Sequence, residues 1–259
     1  MPVSARAHRR LIEIVLTIAA PALILLVWQA LSKTKTIDPI FWPAPTELWP
    51  AFKKLVADGS LANDVRLSLL RILGGFLLGS IPGVALGLAM GLFWPVRAFF
   101  MPIAVAFYAI PKIAILPLVI IALGIGEGSK LAIIAISIFF LVVLNTMSGV
   151  MEIDPSFRDV ARNLGANRWE LFWTVALPGA LPAIFTGLRL ALGFSLIVIV
   201  GTEFVSQSPG VGRLIWDSWQ TLAIKKMYVG LVVTGLMGWV LTIALDLVER
   251  LVLPWKPRT

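Results

Sequence analysis

Few residues in this chain can carry chemistry. It has no cysteine, and its one histidine, His8, sits in a basic N-terminal tail. That excludes a disulfide framework, a thiolate metal site and a thiol nucleophile. A histidine metal cluster or a Ser-His-acid triad cannot be assembled either. No G-x-x-x-x-G-K-[ST] phosphate loop is present, so the chain is not itself an ATPase. What remains are single charges set in apolar stretches: Arg71, Lys112, Arg189 and Glu203. Such a charge is costly in hydrocarbon and therefore faces protein or water. Lys112 lies between Pro111 and Pro117, where broken helical backbone can line a cavity and an ammonium can attract an anion. Snorkelling to the surface or pairing inside a bundle are its competing uses. Glu203 follows Gly201 and Thr202 and reads as part of an external gate, Arg189 as a structural partner, and Arg71 as an interface anchor. Arg189 and Glu203 stand about 21 Å apart on a straight helix, so they cannot pair within it. An intramembrane enzyme needs converging ionisable groups, and these charges are scattered.

The elements that position these residues are set by composition. Of 259 residues 59% are hydrophobic and only 14% charged, with net charge +8 and mean hydropathy +0.93. A soluble domain carries about 25% charge, and a chain this apolar has ample surface to bury, which excludes disorder. A bilayer core takes about 20 apolar residues per helix. Six spans meet that requirement, over roughly 11–32, 65–95, 98–123, 130–151, 177–205 and 227–250, in one membrane domain covering 1–259. An even number of spans puts both termini on one side. The first span is too long for a signal-peptide core and reads as a retained anchor. Lys and Arg are almost balanced between the two faces, but the tight cluster of Arg6, His8, Arg9 and Arg10 favours the termini inside. The span 65–95 carries Gly74, Gly75, Gly79, Gly83, Gly87 and Gly91 along one helical face. That stripe predicts close helix packing, either within the chain or between two copies. The connections 33–64 and 206–226 hold Trp42, Trp49, Trp216 and Trp219, residues suited to a membrane–water interface.

The connection 152–176 has the most coherent local signals. Asp154 can cap a helix that starts at Pro155 and ends before Gly165. Asn167 and Glu170 make a capping-box pair for a second helix. The loop is net negative, which argues against a DNA-binding helix-turn-helix or any nucleic-acid partner. It is either a solvated connector or a lever that docks into another protein.

The stretch Asp159-Val160-Ala161-Arg162-Asn163-Leu164-Gly165, followed by Leu177-Pro178, resembles the EAA loop of bacterial ABC-importer permeases, with Asp159 and Val160 replacing the first two triplet residues. Ile110-Pro111-Lys112-Ile113-Ala114-Ile115-Leu116-Pro117, Gly124-Ile125-Gly126-Glu127-Gly128-Ser129-Lys130 and Ser68-Leu69-Leu70-Arg71 resemble the nitrate/sulfonate/taurine branch of that family. The resemblance implies an all-α integral membrane protein of the type I importer permease fold, in the bacterial inner membrane, with a cytoplasmic coupling loop and cytoplasmic termini. It further implies two permease copies forming one pathway and two separate subunits that bind ATP and Mg. A periplasmic or lipid-anchored binding protein would deliver a small anion for alternating-access transport. This chain itself would bind no metal or cofactor. Asp159, Ala161, Arg162, Gly165, Leu177 and Pro178 would then couple to the ATPase, and Pro111, Lys112, Pro117 and Glu203 would line the pathway. A secondary carrier or channel without an ATPase is the alternative.

Overall fold

A computed structural model describes residues 3–255, with side chains from Val15 onward, Ile18 apart. The side chains of Arg6, His8, Arg9 and Arg10, on which the orientation expectation rests, lie outside the described residues, as do Lys256 and Arg258. The chain runs through α1 (Val3–Lys33), α2 (Pro45–Ala57), α3 (Ser60–Leu92), α4 (Trp94–Ala109), α5 (Lys112–Leu123) and α6 (Glu127–Met151). It continues with α7 (Pro155–Asn163), α8 (Arg168–Leu171), a π-helical turn (Phe172–Ala176), α9 (Leu177–Ser206), α10 (Val211–Gln220) and α11 (Ile224–Val252). Among the described residues no strand occurs. Among the described residues five helical segments are long and apolar enough to cross a bilayer, and α4 with α5 makes a sixth only as a pair bent by 101°.

That bend corrects the expectation of one span over 98–123. Pro111 disfavours helical backbone at the residue before it, and Ile110 accordingly adopts extended φ −69°, ψ 130°. The loop's second helix also does not end before the fifth span. It passes through the π-helical turn directly into α9, giving one segment, Arg168–Ser206.

The chain falls into two compact units. The larger comprises Asn63–Arg213 and Val232–Thr259. Its core is built around α6, where Ile133, Ile134, Ile138, Val142, Val143 and Val150 are wholly buried. The glycine stripe of α3 packs on α6 within the chain. A Cβ on Gly75 would lie 2.6 Å from Ile134, one on Gly79 2.6 Å from the Ala135 carbonyl, and one on Gly87 2.6 Å from Thr146. The two backbones touch where side chains would otherwise separate them. Leu88 of α3 and Val150 of α6 also pack with Ala180 and Ile184 of α9.

The smaller unit comprises Met1–Ala62 and Leu214–Leu231. Within it α2 starts with Pro45 at its first turn, where the missing N–H is no loss. The helix ends at Asp58, followed by left-handed Gly59 at φ +75°. Asp58 then accepts hydrogen bonds from the Ser60 hydroxyl at 2.6 Å and the Ser60 amide at 3.0 Å. Those bonds, the hydroxyl first, hold its carboxyl below the ordinary range.

Candidate coupling loop and buried charge cluster

The loop between α6 and α9 is built from caps. Asp154 accepts from the Ser156 amide at 2.8 Å, with Pro155 in the first turn of α7. This amide bond, then the Ser156 hydroxyl, keeps the Asp154 carboxyl below its usual value. At the other end the Gly165 amide donates to the Arg162 carbonyl and the Ala166 amide to the Ala161 carbonyl, at 2.9 and 3.0 Å. This Schellman pairing needs a left-handed residue, and Gly165 supplies it at φ +86°. Asn167 accepts from the Trp169 and Glu170 amides while Glu170 accepts from the Asn167 amide, completing the expected capping box. Arg158 donates to the Val150 carbonyl at 3.0 Å and so ties α7 to the last turn of α6.

The caps fix the geometry of what α7 displays. Asp159 and Arg162 are exposed, Ala161 is half-buried, and nothing lies within 4 Å of where a Gly165 side chain would begin. Leu177 and Pro178 are half-buried at the start of α9. Beside them stand Phe157, Val160 and Leu164, exposed by 64%, 58% and 83%. This apolar stripe, spaced three and four residues apart as one helical face requires, was not picked out from the sequence. It is uncovered in the single chain, and Trp169 and Trp173 extend the exposed apolar surface.

A second site joins residues that the sequence keeps far apart. Glu203 is wholly buried on α9. It accepts from the Ser68 hydroxyl at 2.8 and 2.9 Å, from Arg71 Nη1 at 2.7 Å and from the Gly212 amide at 2.8 Å. Arg71 is 3% exposed, which corrects its reading as an interface anchor. Its guanidinium also donates to Glu127 in a two-bonded fork at 2.6 and 2.7 Å and to the Pro209 carbonyl at 2.5 Å. Lys130 adds a bond to Glu127 at 2.9 Å. A buried charge needs a partner and filled hydrogen-bond sites, and the cluster provides both. The backbone of the turn after α9 approaches because Gly210 and Gly212 have no side chains: a Cβ on either would collide with Glu203. Glu203 therefore meets three donors and has no exposed surface. Ser68, Glu127 and Lys130 belong to this site; they stand in stretches that resemble the family, but nothing local points to their pairing.

Lys112 serves the α4–α5 bend. Its ammonium donates to the carbonyls of Phe107, Tyr108 and Ile110 at 2.5, 3.0 and 2.7 Å. These are among the acceptors that a helix end leaves orphaned, and a cation there also suits the helix dipole. Pro111 and Pro117 are exposed on either side of it. Arg189 binds Asp246 at 2.6 Å and Glu249 at 2.5 Å on α11, in line with its expected role as a structural partner.

These elements define an all-α, multi-pass membrane protein of the type I importer permease fold. A solved structure of an inward-facing MetNI methionine ABC transporter shares this fold. The TM-score is 0.62 at 19% identity, covering 74% of this chain and 95% of that one. The chain belongs to the family of binding-protein-dependent transport system inner membrane components, whose pattern matches residues 75–256. It is 32% identical to the taurine transport system permease protein of Escherichia coli K12, over 94% of this chain and 90% of that protein. The putative aliphatic sulfonates transport permease protein of the same organism is 34% identical over 92% and 90%. The nitrate import permease protein of Synechocystis is 30% identical over 91% and 88%.

Proposed function

We propose that this chain is the permease subunit of an ATP-driven importer for a small anion of the sulfonate, taurine or nitrate type, working by alternating access. Two copies would form the pathway, and a periplasmic or lipid-anchored binding protein would deliver the solute. Two ATPase subunits, carrying ATP and Mg, would dock on the loop 152–176 from the cytoplasm, where both termini also lie. The solute class follows the relatives named above.

The observation that carries this reading is the preformed, uncovered apolar stripe of Phe157, Val160 and Leu164 along α7 and its C-cap, held to the end of α6 through Arg158. A rigid lever is what a coupling element requires, because a floppy one would absorb the motion it must transmit. Open space around Gly165 lets a partner's groove approach the end of α7. In this reading the exposed prolines Pro111 and Pro117 border the pathway. Lys112 and Glu203 support it by fixing backbone, with their donors and acceptors already taken.

The test is native mass spectrometry of the full chain purified with its ATPase partners, beside Gly165→Asp. We expect a two-plus-two assembly that the variant weakens, with ATP hydrolysis no longer stimulated by solute. Solute uptake unchanged by Gly165→Asp would sink the coupling assignment, and a lone oligomer would favour a carrier or channel.

A further inference from the structure

The smaller unit holds a groove of about 660 Å³ that plays no part in the coupling reading. Its walls include Pro39, Ile40, Lys54, Leu222 and Lys226, with Glu47 and Lys225 also at its edge. Its level relative to a membrane follows from the helices that meet there. Of the membrane-crossing helices, α1 ends at Lys33 and α11 begins at Ile224. Trp28 of α1 and Trp42 of the following connection both pack on Tyr228 of α11, with ring centres 5.3 and 6.4 Å apart. The Tyr228 hydroxyl donates to the Phe41 carbonyl at 3.2 Å. The groove therefore sits where two spans leave the hydrocarbon, among the aromatic residues typical of that boundary.

Its chemistry is mixed in a particular way. Ile40 and Leu222 are 70% and 72% exposed, so the walls offer apolar surface. Lys225 is neutralised by Glu47 at 2.9 Å. Lys54 and Lys226 have no carboxylate within ion-pair distance among the described residues. Asp58 acts on both only at longer range, with Ser60 holding its Oδ1. The groove thus presents two ammonium groups that no carboxylate contacts, above apolar walls at the interface level. A free anion would use only the first feature. A phospholipid with an anionic headgroup uses both, laying its phosphate against the lysines and its chains along the exposed apolar surface of α1.

We propose that this groove binds the headgroup of an anionic phospholipid, with Lys54 and Lys226 as the phosphate-contacting residues. The full chain, placed in mixed phosphatidylcholine–phosphatidylglycerol nanodiscs and released into native mass spectrometry, should retain phosphatidylglycerol in preference to phosphatidylcholine. One basic residue at such a surface contributes about a fivefold change in lipid binding. Lys54→Gln and Lys226→Gln should each weaken retention by about that factor. Glu47→Gln, which leaves the groove intact and frees Lys225, should strengthen it by a similar factor. Equal retention of the two lipids by the wild-type chain would overturn the proposal, even if a lysine variant failed to fold. So would full retention by the double lysine variant with an unchanged melting temperature. Displacement of the lipid by millimolar inorganic phosphate would assign the site to a free anion instead and overturn the lipid assignment.

Discussion

Replacing Arg71 by Leu tests whether the buried cluster holds the end of α9 and the turn beyond it. The substitution removes the cation but leaves Glu203, with no exposed surface, facing only the Ser68 hydroxyl and the Gly212 amide. Removing one partner of a buried ion pair costs about 3–5 kcal/mol, because the other charge stays behind in low dielectric. For a chain of this size each kcal/mol lowers the melting temperature by about 2–4 °C, so Arg71→Leu should melt roughly 6–20 °C below wild type. Glu127 provides an internal contrast. Its side chain is 58% exposed and keeps Lys130 at 2.9 Å. Water can take over what Arg71 gave it, so the cost of Arg71→Leu falls on Glu203 and not on Glu127.

The assay is thermal unfolding of the detergent-purified chain for Arg71→Leu, Glu203→Leu and the double variant. The double variant removes both buried charges, so it should be more stable than the sum of the single losses predicts by about 2 kcal/mol or more. Two outcomes would refute the reasoning. One is an unchanged melting temperature for Arg71→Leu, and the other is simple additivity of the two single losses. Either would mean that Glu203 is solvated in the folded protein and that the turn at Pro209 and Gly210 is held by something other than this pair.

The close packing of α3 on α6 predicts that Gly87→Ala destabilises by about 1–3 kcal/mol, since the new methyl meets Thr146 and the Val143 carbonyl within 3 Å. Gly193→Ala, where nothing lies within 4 Å, should be neutral or slightly stabilising, and equal melting temperatures for the two would refute the packing. The Asp154 cap should respond to acid in one direction. Its carboxyl is held low in the folded loop, so the stabilisation is fully present above the unfolded value and disappears as pH falls through the folded one. Hydrogen exchange at Ser156 and Phe157 should therefore quicken in acid beyond the intrinsic trend. Asp154→Asn should flatten that response, and an unchanged profile would contradict it. Lys112→Met should lower the maximal transport rate by loosening the α4–α5 bend while leaving the KM for solute nearly constant. A selective rise in KM would instead give Lys112 a direct role in binding the anion.

What could be read from the amino-acid order depended on how far each interaction reaches along the chain. The caps of α7 and α8 involve partners two to five residues apart, and Asp154, Gly165, Asn167 and Glu170 all fall where their types required. The apolar spans were readable for a related reason, because a bilayer imposes its length on every one of them. The bend at Pro111 was half-readable. The proline marked it, but the expectation of one span gave it no angle, because turning 101° depends on Lys112 reaching back over three carbonyls. The stripe of glycines announced close approach but not its partner, since the pattern is the same whether α6 or a second copy covers it. The charge cluster was not readable at all. Arg71 meets its carboxylates 56 and 132 residues away, and nothing near Arg71 records those distances. A lone charge in an apolar run therefore marks a required pairing without naming the partner. The same ambiguity separates Arg71 from Lys112: both are isolated cations in sequence, yet one binds two carboxylates and the other three backbone carbonyls. Only the fold, by bringing Ser68, Glu127 and the turn at Pro209 around Glu203, decides which isolated charge is a tie within the unit and which is a support for a bend.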